Sequence, residues 1–249
     1  MPTDSTNKVL QQASRALTAF AQQGPLTAPE LAQVIGIPRP SGYRLLGALL
    51  QADFVTQAPD GKASLSTTWL QLGDAAIASM SSRFDSDDLL DDIREATGLT
   101  VYLCVLRGDH AVCVRQLHGA NFQVLALKPG GNLPLNLGAV GRALLAFGPV
   151  DHDAFLAKAP FEKVTPFTLA DAEALEADMA TTRERGYALS DQDVTIGVGA
   201  IGVPVRDSDG TVLAALSVAG LRHQIIAGQH HLSTLLNGAA DRMAERLLG

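Results

Sequence analysis

Apolar residues near the start of the chain recur at helical spacing and are interrupted by turn-forming pairs. Val9, Leu10, Ala13, Ala16, Leu17 and Phe20 predict a first helix from about Thr6 to Gln22, ended by Gly24-Pro25. Thr27 with Glu30 three residues on is a capping box, and it opens a short second helix with Leu31, Val34 and Ile35 as its apolar stripe. After the tight turn Gly36-Ile37-Pro38, a third helix runs from Pro40 to Gln51 with Leu45, Leu46, Leu49 and Leu50 on its buried side. Phe54-Val55-Thr56 and Ala63-Ser64-Leu65, separated by Pro59-Asp60-Gly61, read as a hairpin. This order makes a winged helix-turn-helix, whose third helix is the one that enters a DNA major groove. Its exposed residues are Arg39, Ser41, Tyr43 and Arg44, with Lys62 where a wing touches the DNA backbone. The plainer alternative is a three-helix interaction module whose arginines are solvated or pair with Glu30.

A connecting helix follows over residues 68–83. Its stripe of Trp69, Leu70, Leu72, Ala76 and Ile77 serves either dimerisation or packing on its own domain. The acid-rich start Asp85-Ser86-Asp87-Asp88 opens another helix through Ala96, ended by Gly98, with its carboxylates at the positive helix end as caps rather than as a metal site. Strands over 99–107 and 110–118 flank Gly108-Asp109, a two-residue turn whose register sets Cys104 opposite Cys113. These read as two buried free thiols, with a redox pair as the alternative. A strand at 122–127 extends the sheet, a helix starts near Gly138, and further helices span about 151–158 and 169–185.

A second hairpin runs over Val198 to Arg206 and Thr211 to Ala219 around Asp207-Ser208-Asp209-Gly210. A regular four-residue turn sets Val198, Ala200 and Gly202 opposite Ala219, Ser217 and Ala215, so small residues line one sheet face. The other face carries Ile201, Val203 and Val205 with Val212, Ala214, Leu216 and Val218. The small face admits either a closely packed helix or a ligand. At the start of the Gly138 helix, Ala139 and Gly141 leave backbone N–H groups open to a carboxylate. Asp191, Gln192, Asp193 and Thr195, just before the second hairpin, either cap that pocket or form a solvated turn.

Composition narrows the partners. At 249 residues, 47% hydrophobic and 18% charged, the chain can bury a core and is not disordered. No run reaches the roughly 20 apolar residues of a membrane span, and Met1 to Ser5 lacks a signal pattern, so the expectation is a cytoplasmic protein without a membrane partner. The net charge of −7 is unevenly distributed. Residues 1–67 hold five basic against four acidic groups, whereas the remainder holds 14 against 22. Two cysteines make neither a disulfide framework nor a zinc site, and no metal or cofactor is expected. The chain has no Gly-x-Ser-x-Gly elbow, no phosphate-binding glycine loop and no metal-spaced histidines; His230 and His231 are adjacent on the last helix. Catalysis is therefore not expected.

Several stretches in order carry a resemblance: Ser14-Arg15-Ala16-Leu17, Leu31-Ala32 through Gly36-Ile37-Pro38-Arg39, Arg44-Leu45-Leu46 with Leu49, Pro134-Leu135, Gly141 to Ala146, Arg185-Gly186-Tyr187, and Pro204-Val205 through Leu216-Ser217-Val218. On these the chain resembles IclR-family transcriptional regulators. The resemblance implies a two-domain α+β fold: a winged helix-turn-helix over 1–67, the connecting helix, and a GAF-like or PAS-like antiparallel sheet flanked by helices over 84–249. It implies a homodimer or homotetramer that binds double-stranded operator DNA, with Arg15 added to the DNA-binding set, and that responds to a small organic acid effector. By position, effector contacts fall on the backbone of Ala139 and Val140, on Asp191 or its neighbour Ser190, and on Ala200, Ser217 and Ala219.

Two departures from the family pattern matter. Alanine at 200 and 219 stands where relatives that bind very small keto-acids resemble Cys and Ser, which points to a more apolar site for a larger, aromatic carboxylate. Gly42 stands where an apolar core residue is usual, so with Pro40 nearby the third helix is expected to start irregularly or to settle only on DNA. The alternative is a DNA-binding regulator without an effector, its small sheet face simply packed.

Overall fold

In the computed structural model, which describes residues 4–84, 87–120, 124 and 127–246, the first apolar stripe becomes helix α1 (Asp4–Gln23). The later part of that stripe, Ala16, Ala19 and Phe20, is buried, whereas Val9 and Leu10 are exposed. Helix α2 (Ala28–Ile35) starts with the expected capping box: Thr27 N–H donates to Glu30 Oε2 at 2.8 Å, and Glu30 N–H reaches back to Thr27 Oγ1 at 3.5 Å. The Thr27 backbone N–H holds the Glu30 carboxyl below its ordinary pKa. Leu31 and Ile35 are buried, but Val34 is exposed. Gly36 closes α2 in the left-handed region with φ 68°. Helix α3 (Arg39–Gln51) follows, then a hairpin of β1 (Val55–Gln57) and β2 (Ala63–Leu65), in which Val55 faces Leu65. Leu31, Leu46 and Leu49 fill the core that these elements share with α1.

The expected irregularity of α3 is not found, and the reason is packing. Gly42 is buried at the crossing of α3 over α2, where a Cβ would lie 2.7 Å from Ala32 Cβ and 2.9 Å from the Ala28 carbonyl oxygen. The two helices approach too closely for any side chain, so glycine serves as the core residue at this position. Pro40 sits within the first turn, where its missing N–H costs nothing.

Helix α4 (Thr68–Phe84) begins on this unit. Trp69 packs on Phe54 with ring centroids 5.1 Å apart and donates its indole N–H to the Phe54 carbonyl at 2.7 Å. Leu70 and Leu72 remain exposed. The chain divides into two units, Met1–Ala76 and Ile77–Gly249.

The second unit contains α5 (Asp87–Thr97), β3 (Thr100–Arg107), β4 (His110–Leu117), β5 (Asn132–Pro134), α6 (Gly138–Phe147), α7 (His152–Leu156), α8 (Ala172–Arg185), β6 (Ala188–Asp191), β7 (Val198–Arg206), β8 (Val212–Leu221), α9 (Arg222–Ala227) and α10 (Gln229–Arg246). Its six strands form one antiparallel sheet in the order β5-β4-β3-β8-β7-β6. Leu89, Leu90 and Ile93 of α5 and Leu236, Ala239 and Met243 of α10 bury one face against Ile201, Val203, Leu216 and Val218. The other face meets α6, α7 and α8. Of the acid-rich start, Asp85 and Ser86 lie outside the described residues. Asp87 pairs with Arg115 at 2.7 Å, and Asp88 binds Arg246 through two contacts of 2.6 and 2.7 Å that draw its pKa down to about 2.

The β3–β4 register is as expected from the turn up to Cys104 opposite Cys113, and a bulge then advances β4 by one residue so that Leu103 faces Arg115. Both thiols are free and buried, and burial pushes the Cys104 pKa well up. The expected strand at 122–127 lies largely outside the described residues; Val124 and Leu127 belong to no strand, and β5 takes the place beside β4. In the second hairpin the expected register is two residues off. Val198 faces Leu221, Ala200 faces Ala219 and Gly202 faces Ser217, because Thr211 joins the turn and β8 bulges opposite Val205 and Arg206. A slip of two keeps each residue on its face. Only beyond the bulge does the face change, and there Val212 joins the α6 side. Strand β6 and helix α9 are further elements that periodicity did not reveal.

Gly42→Ala is expected to lower the melting temperature, since overpacking against the Ala28 backbone, at about 1–3 kcal/mol, outweighs the roughly 1 kcal/mol gain in helix propensity. Gly47→Ala on the same helix, where nothing lies within 4 Å of the added Cβ, is expected to raise it. Thermal unfolding of the two variants side by side checks the sign of each.

Candidate functional site

Two regions gather the residues singled out by sequence. In the first unit, α3 carries Arg39 and Arg44 and no acidic residue, and both arginines and Tyr43 are exposed. Arg44 donates to Ser41 Oγ at 3.2 Å, while Ser41 is half-buried. Tyr43 lines a groove with Thr27, Gln57 and Gly61, between α3, the start of α2 and the wing. Exposed Lys62 follows the wing turn, where its N–H is held by Asp60 at 3.0 Å. Arg15 lies elsewhere, in a groove with Thr18, Gln22 and Val34 between α1 and α2.

The second region is a cavity between α6 and the small face of the sheet. Gly202 lies directly beneath α6, where a Cβ would sit 2.7 Å from the Ala139 carbonyl oxygen, so this row of the sheet is packed tightly by the helix. One row on, Ala200 and Ala219 are too short to fill the space, and the cavity lies there. Close helix packing thus holds on one row, and the adjacent row leaves a space. Ala139, Val140, Ser190, Ala200, Ser217 and Ala219 all line the cavity.

Asp191 does not line it. On the edge strand β6 it alternates with Ser190, and its carboxylate takes the Arg222 guanidinium through two contacts of 2.6 and 2.8 Å on the outer side. Its neighbour two residues on takes the inner position. Asp193 is 2% exposed, so the solvated-turn reading fails for it. Its Oδ2 accepts from Gly138 N–H at 2.8 Å, its Oδ1 accepts from the Ser190 hydroxyl, and Arg142 approaches Oδ2 at 3.5 Å. Arg142, itself buried, is held on its other side by Asp178 at 3.0 Å. The first free N–H of α6 is therefore already occupied by a protein carboxylate. Those of Ala139 and Val140, second and third in the helix, have no intrahelical acceptor and belong to the cavity wall. Ser217, 2% exposed, has a hydroxyl without a partner among the described residues.

The remaining wall is largely apolar, with Leu127, Leu133, Val194, Val198 and the Tyr102 ring, and Thr195, from the loop before the second hairpin, adds a polar residue at its edge. The Tyr102 hydroxyl donates to the Val124 carbonyl at 2.6 Å and accepts from Gln116 at 3.2 Å, and burial raises its pKa above the ordinary phenol range. Sequence reasoning missed Tyr102, Leu127 and Leu133. Cross-strand pairing of Tyr102 with Ser217 was the signal available, but it depends on β3 lying beside β8, which local pattern does not specify. No helix among the described residues is long and apolar enough to cross a membrane.

Comparison with known proteins gives a consistent result. Residues 9–59 match the IclR helix-turn-helix domain, and residues 75–244 match the bacterial transcriptional regulator IclR C-terminal domain. The chain is 29% identical over 219 residues to the HTH-type transcriptional regulator XynR of Escherichia coli, covering 87% of each. It is 30% identical over 219 residues to BhcR of Paracoccus denitrificans, covering 86% of this chain and 77% of that one. Among solved structures, an IclR transcriptional regulator from Silicibacter superposes with a TM-score of 0.82 at 28% identity, covering 97% of this chain and 96% of that one. An IclR homologue from Microbacterium hydrocarbonoxydans, crystallised with 4-hydroxybenzoate, gives 0.76 at 22% identity, covering 96% and 98%.

The contrast between the two aspartates is testable by denaturant unfolding. Asp193→Ala removes a helix cap and a buried partner of Arg142 and is expected to cost on the order of 3 kcal/mol. Asp191→Ala breaks a half-exposed pair and is expected to cost less than about 1 kcal/mol.

Proposed function

Because the chain belongs to the IclR family of DNA-binding transcriptional regulators, we propose that it binds operator DNA through α3 and the wing, and that a small aromatic carboxylic acid in the α6 cavity modulates that binding. The observation that carries the effector half is the distribution of polar groups. Two N–H groups and the free Ser217 hydroxyl, with Ser190 and Thr195, are the polar groups of a largely apolar cavity, a suitable match for a carboxylate with an apolar body. The 4-hydroxybenzoate of the Microbacterium homologue supports an acid of this class. In the DNA half, Arg39, Tyr43 and Arg44 are exposed on a helix without acidic residues, suited to base and phosphate contacts. Ser41, Lys62 and Arg15 supply further backbone contacts. The active species is a homodimer or homotetramer reading paired half-sites, a reading supported by the exposed Leu70 and Leu72 of α4.

Thermal unfolding against a series of acids tests the effector reading. Benzoate-type acids are expected to raise the melting temperature saturably, by the equivalent of about 2.7 kcal/mol at a hundredfold excess over Kd, and to do so at lower concentration than glyoxylate or pyruvate. Tighter binding of the keto-acids overturns the apolar-acid reading, and the absence of a shift with any acid favours a regulator without an effector. For the DNA half, Arg44→Ala is expected to weaken binding to DNA flanking the protein's own gene by about 1–3 kcal/mol in fluorescence anisotropy. Unchanged affinity in a folded variant removes Arg44 from the interface.

A further inference from the structure

The two serines of the cavity differ in where their hydroxyl protons go. Ser190 donates to Asp193 Oδ1, and that carboxylate is held from its other oxygen by Gly138 N–H and Arg142. A serine hydroxyl has one hydrogen and two lone pairs. With its hydrogen committed, Ser190 Oγ, 4% exposed and part of the cavity wall, can offer a ligand only acceptor capacity. Ser217 is the opposite case: no protein acceptor among the described residues takes its hydrogen, so it can donate.

The two lie on neighbouring cross-strand rows. Ser190 faces Ala200, which faces Ala219, while Ser217 faces Gly202. The start of α6 spans both rows: Gly202 lies under Ala139, and the carboxylate that takes the Ser190 proton also takes that of Gly138. An obligate acceptor and a set of donors therefore line the same cavity.

Building on the carboxylate reading above, we propose that Ser190 is a specificity-determining residue that selects aromatic acids bearing a neutral hydroxyl on the carbon next to the carboxylate. The carboxylate takes the N–H groups of Ala139 and Val140 and the Ser217 hydroxyl. The 2-hydroxyl donates to Ser190 Oγ. A 2-keto acid turns an acceptor toward the Ser190 lone pairs, leaving both without a proton between them in a desolvated site. An acid without a 2-substituent leaves Ser190 unmatched but unopposed. A 2-ammonium group matches as a donor but carries a charge into an apolar cavity, which disfavours it.

Mandelate, phenylacetate and benzoylformate share a phenyl body and a carboxylate and differ at the 2-position alone. Calorimetric titration of the full chain and of Ser190→Ala with each is the test. Expected for the unaltered protein is tightest binding of mandelate, by about tenfold over benzoylformate, with phenylacetate between. In Ser190→Ala the mandelate preference is expected to collapse to less than about threefold while phenylacetate affinity is retained. Equal or tighter binding of benzoylformate by the unaltered protein overturns the proposal, as does a mandelate preference that survives in the variant. Loss of phenylacetate binding by the variant makes Ser190 a structural residue and overturns it too. If none of the three acids binds the unaltered protein, the carboxylate reading itself falls.

Discussion

A single buried carboxylate holds the second unit's site together. Asp193 receives the first N–H of α6, the hydroxyl of β6 Ser190 and the flank of Arg142, whose other side is fixed by Asp178 of α8. Gly138 at the start of α6 is 55 residues from Asp193 in the chain, and this cluster ties that helix to the edge strand and to α8. Burying one charge here is tolerable because its partners surround it: Arg142 is shared between two aspartates, and the helix end adds its own positive field. Removing Asp193 or Arg142 leaves a charged partner buried and uncompensated, so the ionic members behave as a unit rather than as separate contacts.

Around that anchor, residue size decides where the interior is filled and where it is open. Gly202 lets the α6 backbone descend onto β7, and this close approach aims the helix start at the sheet. Ala200 and Ala219, on the adjacent row, are too short to reach the helix at that level, so space remains beside the N–H groups of Ala139 and Val140. The same principle acts in the first unit, where Gly42 lets α3 lie against Ala28 and Ala32 of α2. There the approach closes the level of Gly42 itself, and the groove lined by Ala28, Tyr43 and Leu46 lies beside it. Close approach and cavity thus have a common origin in small residues, and the difference is whether the next row is also spanned.

Most of the elements were legible because their signals are local. The Thr27–Glu30 capping box, the hairpin turn at Gly108-Asp109 and the facing of Cys104 by Cys113 follow from spacing alone. The small face of the second hairpin survived an error of two residues in register, because strand faces have a period of two and a slip of two restores them. Val212 was misplaced because a bulge breaks that period, and nothing in the local pattern announces one. At the site, six of the seven residues expected to contact an effector line the cavity. The exception, Asp191, fails for a reason of parity: it sits on a strand that reads as a loop, where alternation sends it outward while Ser190 turns inward. Burial of Asp193 was not legible, because only the folded arrangement brings Gly138 and Arg142 to it. Gly42 looked like a weakness in isolation and is a packing requirement once α2 lies beside it.

The chemical character of the cavity is set less by its apolar wall than by the few protons committed within it. Apolar linings separate ligands by size, and a methylene more or less changes binding only modestly. A fixed acceptor or donor discriminates more sharply, since a mismatched ligand leaves a desolvated polar group without a partner. In this chain the directionality of the Ser190 hydroxyl is inherited from the buried cluster behind it. Asp193 takes the proton of Ser190, and Ser217 keeps its own. The group that secures α6 to the sheet is therefore also the one that, in the proposed effector site, would set which polar edge a ligand presents, so the fold's anchor and the proposed selectivity share one carboxylate.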